Sequence, residues 1–166
     1  MVGDPMKVRL SDLRGLPLFH GISLLKLRRI AAFCRKRVLP KNTVMFLEDE
    51  PATHLYFVLK GSVAITTTVE GRRTTVHEVH EMGCVDWSSL VEPYLCTATA
   101  QCTQPCLVLE IDALLLRRRI ARDHRLGSYI MTTVATLLHE RLLETRRFYT
   151  DRLERHVEPV LAGASV

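Results

Sequence analysis

The spacing of apolar positions changes character twice along the chain. Between residues 22 and 33, Ile22, Leu25, Leu27, Ile30, Ala31 and Phe33 fall near helical spacing, with Lys26, Arg28 and Arg29 between them. This predicts an amphipathic helix with Ser23 as its N-cap. From Val38 onward Val44, Phe46, Leu55, Phe57, Val58, Val63, Ile65, Val69, Val76 and Val79 lie in short β-branched or aromatic runs, punctuated by Lys60-Gly61, Glu70-Gly71 and Met82-Gly83. Closely spaced short strands with tight turns predict a sandwich or roll, because a parallel sheet needs helical crossovers. Further strands are expected at 97–100 and 106–111. The pattern then returns to helix after Asp112, a second expected N-cap, and stays helical to about His156.

Within that last segment Met131, Val134, Leu138, Leu142, Thr145 and Tyr149 recur three or four residues apart and form one stripe. A helix this long extends past one small domain, so the stripe predicts pairing with the same helix of a second subunit, a homodimer. The 166 residues are expected to form a single domain spanning 1–166, with a helical N-terminus at about 10–35, a β-roll at about 36–111 and C-terminal helices at about 112–156.

Composition narrows the function classes. The net charge of +5 is unevenly spread: residues 1–41 carry about +8, residues 42–111 about −6 and the remainder about +3. Leu126 to Leu138 is shorter than the roughly 18 apolar residues of a membrane span, and the N-terminus lacks a secretory pattern, so a cytoplasmic protein without membrane contact is expected. Cys34, Cys84, Cys96, Cys102 and Cys106 form an odd set without a CxxC pair, which reads as buried thiols rather than a disulfide framework or a zinc ribbon. No Ser-His-Asp, Walker, GxGxxG or HExxH pattern occurs, so no enzyme is expected and no cofactor or metal is called for.

Pro17-Leu18-Phe19, Leu39-Pro40 and Leu55-Tyr56-Phe57-Val58-Leu59-Lys60-Gly61-Ser62-Val63, in that order and spacing, resemble the cyclic-nucleotide-binding domains of the catabolite activator protein and regulatory-subunit superfamily. The resemblance runs from about Leu16 to Arg155. It implies an α+β, mainly β fold: a double-stranded β-helix jelly roll with N-terminal helices and a long C-terminal dimerisation helix. Asn42 and Asp49 stand where that family often has Gly, and both tolerate left-handed backbone.

The resemblance also implies a ligand cassette after the sixth strand. There a short helix offers amides to the cyclic phosphate, a Glu meets the ribose and an Arg meets the phosphate. The matching stretch here runs from Gly83 to Thr99, and Gly83, Val85, Asp86, Trp87, Ser88, Ser89, Leu95, Cys96, Thr97, Ala98 and Thr99 are its candidate ligand-binding residues. Gly83 and Ala98-Thr99 fit the family pattern. Asp86 replaces the Gly, Trp87 replaces the Glu, and Leu95-Cys96 covers the place of the Arg. A charge-assisted Arg–phosphate bond contributes about 1.5 to 3 kcal/mol, and a carboxylate in its neighbourhood repels an anion, so cyclic nucleotides are not expected to bind well.

Trp87 either plugs the pocket left by the Glu, which is favoured by the burial its ring gains, or stacks on a flat ligand. Ser88 and Ser89 are expected to cap the short helix. Cys102 and Cys106 share a strand face by alternation, and His77 and His80 do not. Arg117, Arg118, Arg119, Arg122 and Arg125 read as a solvated helix face, because Asp112 and Asp123 interleave and no aromatic stacks among them.

The function expected is therefore a non-catalytic sensory or regulatory module with a degenerate phosphate cassette, signalling through dimer helices to a partner protein, with an unidentified small ligand. Two alternatives remain. One is a transcription regulator of the catabolite-activator type, for which a helix-turn-helix domain is needed where only Val157 to Val166 follow, so direct DNA binding is not expected. The other is a thiol-based redox sensor.

Overall fold

The computed structural model describes residues 6–69 and 71–162, with side chains described for 6–68, 71–147 and 150. Both ends of the expected domain (1–5 and 163–166) and Glu70 of the expected Glu70-Gly71 turn lie outside the described residues. Helices α1 (Leu10–Arg14) and α2 (Leu24–Ala31) flank a 3₁₀ turn at Pro17–Phe19, and eight strands follow: β1 (Cys34–Leu39), β2 (Val44–Phe46), β3 (His54–Lys60), β4 (Val63–Val69), β5 (Arg72–Val79), β6 (Cys84–Val85), β7 (Thr99–Cys102) and β8 (Cys106–Asp112). A second 3₁₀ turn, Trp87–Leu90, follows β6, and α3 (Ala113–Arg122) and α4 (His124–Ala162) close the chain.

The strands form two antiparallel four-stranded sheets, ordered β1-β8-β3-β6 and β2-β7-β4-β5. This is the jelly roll that the family resemblance implies, and one of the two forms, sandwich or roll, that the strand pattern and turns predict. The sheet holding β3 is buried on both faces, because alternate residues of a strand point to opposite sides. Leu55 and Phe57 of β3, with Leu109 and Ile111 of β8, pack under the helices against Leu27, Ile30 and Leu116. Tyr56, Val58 and Val108 turn inward instead and meet Val63, Val85 and Ala100 inside the roll. The run His54–Lys60, buried from Leu55 to Val58, is apolar without alternation for that reason.

Gly61 joins β3 to β4 at φ +100°, and a Cβ there would lie 2.7 Å from the Pro105 carbonyl oxygen and 2.8 Å from Cys106 Sγ. Only glycine meets both demands. Asn42 and Asp49 adopt φ +68° and +66°, the conformation their residue types accommodate.

The C-terminal helical segment breaks once. Asp112 caps α3, its Oδ1 accepting from the Leu115 amide at 2.8 Å. Asp123 interrupts the helix, accepts from the Leu126 amide at 3.1 Å and pairs with Lys26 of α2 at 2.8 Å. Helix α4 then runs through Pro159 to Ala162, beyond the expected end at 156.

The predicted α4 stripe divides. Leu126, Ile130 and Val134 are buried against the chain's own helical core, and Leu138 packs beside them. Met131 and Leu142 are 37% and 56% exposed. At about 100° per residue they lie some 60–80° away from Val134, on a flank of the helix. Spacing of three and four alone joined two neighbouring faces into one. The Tyr149 side chain lies outside the described residues.

Candidate functional site

Strand β6 is short, pairing Val85 with Tyr56 and Cys84 with Phe57, and it delivers the chain to Asp86 at φ +62°, ψ +48°. This left-handed bend is the position where the resembling family has Gly, and Asp is among the few residue types that tolerate it. The Asp86 carbonyl accepts from the Ser89 amide at 3.1 Å and from Ser89 Oγ at 2.7 Å, closing the turn. Ser89 is therefore occupied in local structure. Its own carbonyl accepts from Arg117 of α3, whose guanidinium lies 4.0 Å from the Tyr94 ring centre. Arg117 thus fastens α3 to the cassette, while Arg118, Arg122 and Arg125 are exposed.

Burial pushes the Asp86 carboxyl up to about 6, partly offset by the Cys96 thiol, whose Sγ lies 3.6 Å from Oδ2. Cys96, in the stretch where the resemblance implies an Arg, is a buried thiol that donates to a carboxylate. The polarity of this corner is thereby the reverse of one built for a phosphate.

Beside the cassette a cavity of about 240 Å³ opens between the roll and α4. Of the candidate residues, Val85, Asp86, Trp87, Ser88, Thr97 and Ala98 line it. Ser88 Oγ lies 3.4 Å from Thr97 Oγ1. Gly83, Ser89, Leu95, Cys96 and Thr99 stand behind or beside the wall. At Gly83 a Cβ would collide with Val79 and with the His80 carbonyl, 2.8 Å away. Leu95 is exposed and bridges to Pro51, and Thr99 Oγ1 accepts from the Glu48 amide at 3.0 Å. Trp87 is half-buried and forms a wall against the helical core. The plug expected from its bulk is not formed, because its ring leaves the cavity open.

Sequence reasoning missed the other walls. Phe46, Ile65, Val76, His77 and Val79 reach the cavity from β2, β4 and β5, and Arg141 and Thr145 reach it from α4. Inward alternation of Ile65 in β4 and of His77 and Val79 in β5 carried the first signal, and the register shift beside Val76 carried none. For Arg141 the signal was its place seven residues after Val134, two turns along the barrel-facing side. Thr145, expected at a dimer seam, lies on this wall, its Oγ1 donating to the Arg141 carbonyl at 2.9 Å.

Arg141 Nη1 is out of solvent reach, without a hydrogen-bond partner among the described residues. The nearest carboxylate is Glu144, 3.9 Å away and more than half exposed. Burial lowers the Arg141 pKa, with Glu144 opposing. His77 Nδ1 lies 3.5 Å from the same Glu144.

All five cysteines are buried and free. Burial pushes Cys34, Cys96 and Cys102 up to about 12 and raises Cys84 as well. Cys102 and Cys106 are neighbours, but they sit on β7 and β8 and not on one strand face as alternation had implied. No grouping of His, Cys, Asp and Glu fit to hold a metal occurs among the described residues. No helix among them is long and apolar enough to cross a membrane.

A β-roll with a cavity under a C-terminal helix defines the structural class. Residues 36–123 match the family model of the cyclic nucleotide-binding domain, and the chain belongs to that family. It is 30% identical over 110 residues to a provisionally named potassium channel protein of Rhodopseudomonas palustris, matching 65% of this chain but spanning only 26% of that protein's length. A crystal structure of a provisionally named cyclic nucleotide-binding protein of Geobacter metallireducens superposes with a TM-score of 0.75 at 28% identity, covering 81% of this chain and 98% of that one. The sensor domain of the transcriptional regulator DNR of Pseudomonas aeruginosa has the same fold, with a TM-score of 0.67 at 22% identity over 80% of this chain and 89% of its own.

Proposed function

We propose that the chain is a non-catalytic sensory module that binds a small ligand other than a cyclic nucleotide between its roll and α4, and passes occupancy along α4 to a second copy of itself or to a partner protein. One observation carries this reading: Arg141 and Thr145 of the outgoing helix and Val85, Asp86 and Trp87 of the cassette line one cavity. A ligand there touches both bodies, and it stabilises the docked helix by its differential affinity for that arrangement. The replacement of the family's Gly, Glu and Arg by Asp86, Trp87 and Cys96 argues against a cyclic phosphate. The buried thiols with raised pKa argue against redox sensing, which needs accessible thiolate.

Benzene tests the coupling without assuming the ligand. It fills an apolar cavity of about 150 Å³, so it fits the space here. Hydrogen exchange of the amides from Val134 to Thr145 is expected to slow in benzene-saturated buffer. Unchanged exchange, with benzene shown by NMR to occupy the cavity, would sink the sensory reading.

A further inference from the structure

Building on that sensory reading, we propose that the cavity takes a small carboxylic acid with an apolar body about the size of a single ring, its carboxylate held by Arg141 of α4. The cation is at hand: Arg141 lines the cavity with its side chain 28% exposed, and its Nη1 makes no hydrogen bond among the described residues. Glu144 pairs with it only loosely, since at 3.9 Å it lies beyond hydrogen-bond reach and is itself 57% exposed, so solvent screens the pair and the guanidinium donors stay available. A planar guanidinium offers two parallel N–H donors, the geometry that matches a carboxylate.

His77 lines the same wall and becomes a second donor to an anion when protonated. The carboxylates that face this group of charges are Glu144, near both His77 and Arg141, and Asp86 on the cassette wall. Asp86 disfavours an anion at the cassette end, which orients the ligand with its acid toward α4. Its apolar body then lies among Ile65, Val79, Val85 and Trp87.

Size narrows the class further. The cavity, at about 240 Å³, exceeds the ~150 Å³ that accepts benzene and falls below the roughly 300 Å³ at which drug-sized sites begin. One ring with a short acid arm fits that interval.

Phenylacetate and phenylacetamide share a shape and differ in charge, so calorimetric titration with the pair isolates the role assigned to Arg141. The wild-type protein is expected to bind phenylacetate at least about tenfold more tightly than phenylacetamide. Arg141→Gln should remove that preference, and Arg141→Lys should keep part of it. Equal affinity of the two probes for the wild type overturns the proposal, as does a preference that survives Arg141→Gln in a variant with native circular dichroism. Absence of heat from both probes at about 10 mM, with benzene still protecting α4, refutes the acid assignment and leaves the sensory reading standing. Loss of the benzene effect with the charge preference intact does the reverse.

Discussion

Asp86 is held in a left-handed bend with its carboxyl pushed up to about 6 by burial. The folded state therefore takes up this proton at higher pH than the unfolded chain, whose carboxyl lies near 3.8. The associated stabilisation is fully present below about pH 3.8 and is lost as pH rises through 6. Asp86→Asn keeps a residue type that accepts the bend and removes the titration. The variant should exceed the wild type in urea midpoint at pH 7, and the gap should close toward pH 4. Parallel profiles would show that the carboxyl does not resist ionisation. Asn42 and Asp49 could be read from sequence as left-handed bends because their short polar side chains favour that region. Met82 and Tyr94, at φ +67° and +60°, could not, because nothing in those residue types signals a bend that surrounding contacts impose.

At the scale of elements, strands and turns were legible because β3 and its neighbours pair short β-branched runs with glycine turns. The α3–α4 break was less so. Asp123 leaves helical backbone there, caps the start of α4 through the Leu126 amide and is held by Lys26 of α2, a tertiary partner that helical spacing does not reveal. Helix α4 shows the same limit, since helical spacing identifies a helix but not which 60° sector meets the barrel. The division of its stripe separates two outcomes for a dimer paired along α4. Glutamate at both Met131 and Leu142, which are exposed on one flank, is expected to yield folded monomers by sedimentation, because it puts unpaired charge into the seam. Glutamate at Leu138, packed on the chain's own core, should instead lower the melting temperature. Dimers that persist in the Met131/Leu142 double variant would remove α4 from the interface.

For the molecule as a whole, fold and ligand chemistry part company. A sandwich or roll was recoverable from local pattern, and the jelly roll from the family resemblance. Half of the cavity was not, because its walls come from β2, β4, β5 and α4, and only the folded chain brings these around the cassette. At the cassette the family resemblance implies that the phosphate-binding groups are replaced, and the structure buries the Asp86 carboxylate there. Titration calorimetry at low salt should therefore find cyclic AMP and cyclic GMP binding no more tightly than about millimolar. A low-micromolar constant would mean that Arg141 had taken over the phosphate. The placement of Trp87 makes such measurements possible without any label. As the chain's one tryptophan, set in the wall between roll and helix, it is an intrinsic fluorophore at the single place where an arriving ligand would displace water from an indole face, so the colour of its emission reports the state of the cavity directly.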